Sequence, residues 1–329
     1  VTGTGANLAY ATHAAGTVGV YTPSGTSANA SGLPNDPTSN WQINVTATGA
    51  TPSIVSVNTL RSLASTSTRL TTGTSFTFNG LLNASSGGIL SIGRANLSDT
   101  MTIGSAGELV IATDMGSITF DAAIQESVPG SGLTFISPRT SSASLTLNNT
   151  VGFTGPINVM GVAQLVIAGS GTVASINMSG NALTVGGIAL SQQIGSIAGV
   201  GSSLTKGSSG TTTLPSNSSY TGATSIQNGT LVVSSLPSIG TAGGLGNPTS
   251  ANATISLGNV TNTGVLRYVG AGDTTDRNFS LAGTTGGGGI EASGAGALTI
   301  AGSVAGNAST GSFTLGGTST ALNTIGTIT

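Results

Sequence analysis

Hydrophobic residues in this chain come in pairs separated by a single, mostly polar, residue. Phe76/Phe78, Leu90/Ile92, Met101/Ile103, Leu109/Ile111, Ile118/Phe120, Leu133/Phe135, Leu145/Leu147, Ile157/Val159, Leu165/Ile167, Ile176/Met178 and Leu183/Val185 all follow this pattern. A spacing of two places both side chains on one face of an extended strand; a helix needs spacings of three and four. Successive pairs start roughly 8 to 15 residues apart, the range expected of short strands with a turn between each. The residues between the pairs are mostly Gly, Asn, Ser and Thr. The pattern predicts an all-β chain of many short strands.

Two architectures suit such strands, a β-sandwich and a parallel β-helix. A sandwich needs hairpins, whose tight two-residue turns are written Asn-Gly or Asp-Gly. Asn79-Gly80 and Asn228-Gly229 alone qualify, too few for seven or more hairpins. A parallel coil instead turns at bends rich in Gly, Asn and Ser, which is what separates the pairs. The right-handed single-stranded parallel β-helix, a β-solenoid, is therefore preferred, with the β-sandwich as the alternative. Coils of about 20–27 residues are expected for such a solenoid.

The stretch 204–233 sharpens this. It reads Leu204-Thr205-Lys206-Gly207, Gly210-Thr211, Thr213-Leu214, Tyr220-Thr221-Gly222, Thr224, Ile226 and Gly229-Thr230-Leu231. These residues, at these offsets, resemble the autotransporter-associated β-strand repeat, a passenger-associated repeat of large bacterial secreted and surface proteins. An internal copy stands 67 residues upstream: Leu147, Phe153, Gly155 and Val159 fall on Leu214, Tyr220, Gly222 and Ile226. This copy, near 144–167, lacks the Leu-Thr-Lys element. Segments after Pro237 and the flanks near 57–61 and 107–111 are similar to the surroundings of the repeat in that family. The resemblance implies a right-handed parallel β-helix outside a bacterial cell, extracellular or on the cell surface.

Composition agrees with an ordered, weakly charged solenoid. Of 329 residues only 5% are charged, against about 25% in ordinary domains, while 37% are hydrophobic and 53 are Gly. Disorder goes with low hydrophobicity and high charge, the opposite balance. The net charge is −2, and seven scattered basic residues make no nucleic-acid footprint. Cysteine is absent, so disulfides and thiolate metal sites are ruled out. No apolar run reaches the length of a transmembrane helix. Residues 53–329 read as the parallel β-helix. Residues 1–52 read as an N-terminal cap or early coils, with a Ser/Asn/Pro-rich loop from Ser24 to Asn40. The abrupt ends read as those of a piece of a longer polypeptide.

Catalytic chemistry is sparse. His13, the single histidine, reads as a surface polar residue, and no nucleophile elbow accompanies it. Carboxylates group as Asp114 with Asp121 and as Asp273 with Asp276. The second group, with Arg267, Arg277 and Glu291, reads as a structural loop of ion pairs. No catalytic, metal or cofactor residues are assigned, and the chain is read as a non-enzyme, a polysaccharide-degrading enzyme being the least favoured function. The favoured function is a structural extracellular β-helix of a surface or secreted fibrous protein. The alternative is an adhesin that binds surface glycans. For that alternative Tyr10, Tyr21 and Trp41 are the candidate ligand residues, against the plainer reading that they cap the core. The run from Phe313 to Thr329 alternates to its last residue, with no charge after Glu291. Unpaired strand edges template further pairing. Phe313, Leu315, Ile325 and Ile328 are thus expected to meet further coils of the same polypeptide, or a second copy stacked head to tail into a filament.

Overall fold

The structure is a computed structural model. It describes residues 11–14, 17–20, 25–27, 33–43, 48–50, 54–62, 68–71, 75–84, 89–93, 99–113, 116–137, 143–161, 163–186, 191–215, 217–307 and 311–329. Among them every regular element is a strand except one 3-10 turn, Ser250–Asn252. The chain divides into two compact units, residues 1–154 with 160–163, and residues 155–159 with 164–329.

In the first unit nearly all strands stack in parallel, in two sheets. One sheet runs through Asn35–Ile43, Ile54–Ser62 and Ser75–Ala84. The long strand Ser75–Ala84 is met by two shorter ones, Thr100–Ile103 and Glu108–Thr113, and these by Ala123–Glu126 and Gly132–Ser137. The other sheet stacks Thr48–Ala50, Thr68–Thr71, Ile89–Ile92, Ser117–Phe120 and Ala143–Leu147. The register keeps each alternating pair facing inward. Leu70, Ile92, Phe120 and Leu147 form one column, and all four are fully buried. Each such side chain contributes about 1.5–3 kcal/mol. The exception is an antiparallel pair, Ala11–Ala14 with Thr17–Val20, which places His13 opposite Val18.

Residues 25–27 and 35–40, within the stretch expected to be a loop, are in strands. Pro37 is accommodated because the register shifts between Asp36 and Asn40, and an irregularity is where a residue without an N–H fits a strand. The Asp36 carboxylate accepts from the Thr38 N–H and hydroxyl. These bonds lower its pKa and take up donors that the ladder leaves free.

The second unit repeats the plan. One parallel sheet comprises Gly171–Met178, Ser191–Ala198, Thr211–Leu214, Gly229–Val233, Gly264–Tyr268, Gly288–Ala292 and Phe313–Gly316. The other comprises Ala163–Ile167, Ala182–Val185, Ser203–Lys206, Thr224–Ile226, Ile255–Leu257 and Phe279–Leu281. Leu298–Ala305 and Thr324–Ile328 complete it. This is a parallel β-solenoid, with no hairpin sandwich. Polar side chains also stack between coils, as where Asn177 Nδ2 donates to Asn158 Oδ1 at 2.9 Å.

Coil length is set by the register. Leu165 lies on Leu183, Leu183 on Leu204 and Leu204 on Thr224, about 20 residues per coil as expected for short solenoid coils. Thr224 then lies on Ile255 and Gly229 on Gly264. That coil carries an extra loop, residues 234–254, which breaks the even spacing.

Candidate functional site

The repeat at 204–233 contains four strands of two successive coils: Ser203–Lys206, Thr211–Leu214, Thr224–Ile226 and Gly229–Val233. Alternation sends Leu204 and Lys206 to the same inward face. Lys206 is fully buried and stands in a column with Ile167, Val185, Ile226, Leu257 and Leu281. Its Nζ donates to the carbonyl oxygens of Ser208 and, at 3.1 Å, Asn228. Both lie at the bend that follows this sheet. Burial pulls the ammonium pKa down to about 8. On the opposite sheet buried Gln192 does similar work. Its Nε2 donates to the carbonyls of Ile167 and Gly169, and its Oε1 accepts from Thr212 Oγ1. Bend carbonyls that point inward are thus met by side chains, because a buried unmet carbonyl is costly.

Tyr220, the aromatic residue of the repeat, is also fully buried. Its hydroxyl lies 2.7 Å from Thr224 Oγ1, and loss of solvent pushes the phenol up to about 12. Its carbonyl accepts from the Asn247 N–H at 2.8 Å, which ties the repeat to the extra loop.

That loop is gripped from the next coil. Asp273 Oδ2 accepts from the Leu236 N–H and Asp276 Oδ1 from the Ile239 N–H, each at 2.8 Å. Thr275 Oγ1 donates to the Pro237 carbonyl at 3.1 Å. Arg277, 1% exposed, donates from Nη1 to Leu245 O at 2.8 Å and from Nη2 to Gly246 O at 3.0 Å. Burial lowers its pKa. Leu236 and Leu245, within the loop, are buried. The expected loop of ion pairs is therefore corrected in part. Arg267 does pair with Glu291, Nε to Oε2 at 2.5 Å, on the half-exposed sheet surface. Asp273, Asp276 and Arg277 instead hold backbone groups of the 234–254 loop.

Tyr10, Tyr21 and Asp114 lie outside the described residues. Trp41 is half-buried and packs over Gly25, its register partner. A Cβ at Gly25 would fall 2.2 Å from the indole. Asp121 is mostly buried and its Oδ1 accepts from Asn148 Nδ2 at 2.7 Å. Near the C-terminus of the sequence, Leu315, Ile325 and Ile328 border an apolar recess of about 410 Å³ with Ile290, Leu298 and Ile300. Phe313 is not among its lining. Leu315 and Ile328 are 52% and 57% exposed. Among the described residues no three His, Asp or Glu gather as a metal site, and no helix is long and apolar enough to cross a membrane.

Sequence reasoning missed the inward placement of Lys206 and Gln192 and the grip of Arg277. A signal for the first was present: Lys206 stands two residues after Leu204, on the same face. For the third, the signal was the stretch of about twenty residues after Val233 with no alternating pair.

Comparison with known proteins agrees with the repeat. Residues 204–233 match the passenger-associated-transport-repeat, so this stretch is a repeat of the autotransporter passenger family. The chain is 34% identical over 158 residues to the adhesin BmaC autotransporter of Brucella suis biovar 1 (strain 1330). The match covers 47% of this chain and 4% of that protein; the chain spans a small fraction of that relative's length. No solved structure matches the chain.

Proposed function

We propose that this chain is a β-helical segment of the exported passenger of a bacterial autotransporter, serving at the cell surface as a scaffold and not as an enzyme. The observation that carries the reading is the repeat at 204–233. Its residues, matched to the passenger-associated-transport-repeat, form adjoining coils in a continuous parallel stack. The paired carboxylates Asp273 and Asp276, and the basic Arg277 beside them, are engaged with loop backbone, which supports a structural role. The test is an epitope placed at the exposed Gly240-Thr241 tip in the full-length protein. Labelling of intact cells is expected; labelling only after permeabilisation would overturn the reading. Incubation with common polysaccharides is expected to release no reducing or unsaturated ends.

Two finer readings follow. The relative is named an adhesin, which favours a passenger that contributes to adhesion. Loss of cell binding on deleting this segment from the full-length protein, with export unchanged, is the expected result. The apolar recess at Leu315, Ile325 and Ile328 favours stacking of a further parallel coil there, from the same polypeptide or from a second copy. Sedimentation of the 329-residue chain distinguishes these. Concentration-dependent association that Leu315→Lys abolishes supports stacking between copies, and a monomer at all concentrations removes it.

A further inference from the structure

The ammonium of Lys206 is enclosed by three successive bends. Its own bend supplies the Ser208 carbonyl and the following one supplies the Asn228 carbonyl. The preceding bend supplies an open space at Gly186, where a Cβ would lie 2.7 Å from Nζ. Only one pairing of the strands offers all three. Its inward neighbours do not choose a partner: Ile167, Val185, Ile226 and Leu257 are interchangeable aliphatics in one column. A strand slipped by a whole coil re-forms the backbone ladder and packs aliphatic on aliphatic. A parallel solenoid with an even core is therefore weakly specified against slippage.

Lys206 removes this degeneracy. If Ser203–Lys206 paired with Ala163–Ile167, the residue above the ammonium would be Ala168, which occupies the place of Gly186 one coil earlier. Its methyl group would stand where Nζ needs room. If the strand paired instead with Ile255–Leu257, the Asn228 carbonyl would be lost. That coil offers Asn259, whose carbonyl already accepts from Asn262. The first slip crowds the buried ammonium and the second leaves it short of a partner, and a buried charge without its full set of contacts is strongly unfavourable. We propose that Lys206 is a registration key, a buried cation whose role is to admit one coil pairing and reject its neighbours. Gln192 adds a second key from the opposite sheet, since its amide also joins three coils through Ile167, Gly169 and Thr212.

The chain has no cysteine, so register can be read by cross-linking. Thr184 and Thr205 are adjacent outward residues in the native pairing. Val166 is two rungs from Thr205, about 10 Å and beyond disulfide reach. Two reporters are made in the full 329-residue chain: Thr184→Cys with Thr205→Cys, and Val166→Cys with Thr205→Cys. Each is unfolded in guanidinium chloride, refolded, oxidised and quantified by mass spectrometry. With Lys206 present, the first pair is expected to bridge and the second to stay free. With Lys206→Met, the Val166/Thr205 bridge is expected to rise by about fivefold or more, while the denaturant midpoint stays equal or increases, as for replacement of a buried charge by an apolar isostere. A Val166/Thr205 bridge that stays at its level with Lys206 overturns the proposal. So does a fall in midpoint with unchanged cross-links, which marks Lys206 as a plain stabilising contact. Lys206→Gln, which keeps donors without the charge, carries the same test should the Met variant not refold. Failure of both also overturns the proposal in favour of plain stabilisation.

Discussion

Replacing Arg277 with Ala tests whether the 234–254 loop is held by its neighbour coil. The guanidinium donates two hydrogen bonds to buried carbonyls, Leu245 O and Gly246 O. Bonds from a charged donor contribute about 1.5–3 kcal/mol each, and the buried stem adds packing. Part of this is offset, because the buried charge itself is costly to desolvate. Asp273, Thr275 and Asp276 keep their own grips on residues 236–239. The net effect is therefore expected at about 3 kcal/mol, and it falls on loop opening more than on global unfolding. About 3 kcal/mol corresponds to roughly a hundredfold larger open population. Limited proteolysis reads that population where closing outpaces cleavage. The expected result is cleavage within 238–246 about a hundredfold faster, mapped by mass spectrometry. Arg267→Ala is the control, since its pair with Glu291 is half-exposed and such pairs are worth about 0–1 kcal/mol. Should Arg277→Ala be cut no faster than Arg267→Ala, the grip is not what holds the loop.

Three further outcomes are expected. The folded-state pKa of Lys206, about 8, lies below the ordinary 10.5, so between those values the unfolded chain binds more protons. Stability should rise as pH climbs from 8 to 10.5, by up to about 3 kcal/mol, and a flat profile of denaturant midpoints in that window would count against burial of the charge. Gly25→Ala places a methyl group into the Trp41 ring; because Trp41 is the one tryptophan, its fluorescence should shift to the red, and an unchanged spectrum would refute the packing. Leu231→Ala removes a fully buried side chain and should cost about 2–5 kcal/mol; a loss below about 1 kcal/mol in chemical denaturation would show its surroundings to be loosely packed.

The alternating pairs were readable because strand period is a local property. Phe76/Phe78 or Leu145/Leu147 declare their face without knowledge of any partner. The parallel stacking was readable from what was missing, the Asn-Gly turns of hairpins, together with the repeat at 204–233. The roles of Asp273, Asp276 and Arg277 were not, because their partners are backbone groups more than 30 residues away. Backbone acceptors carry no residue signature, so three charged residues close in sequence read as partners of each other. Lys206 was obscured by a different habit. A lone Lys in a polar stretch reads as exposed, although its distance of two from Leu204 had already placed it inward.

The extra loop gives the chain an internal order of events. Elsewhere the strand ladder of each coil is laid on its predecessor, with paired residues separated by about 18–29 residues however many coils have been laid down. Addition of coils can then proceed from one end at a pace independent of total length. Residues 234–254 interrupt this. The Asn247 N–H meets the Tyr220 carbonyl of the preceding coil, but the groups that hold Leu236, Ile239, Leu245 and Gly246 arrive with the next coil, at 273–277. As coils are added from the N-terminal side, these backbone groups must wait until some 30 further residues have taken their places. Among the described residues of the second unit this coil has the longest separation between paired residues, 35 between Gly229 and Gly264, and it is a pause written into the length of a single coil.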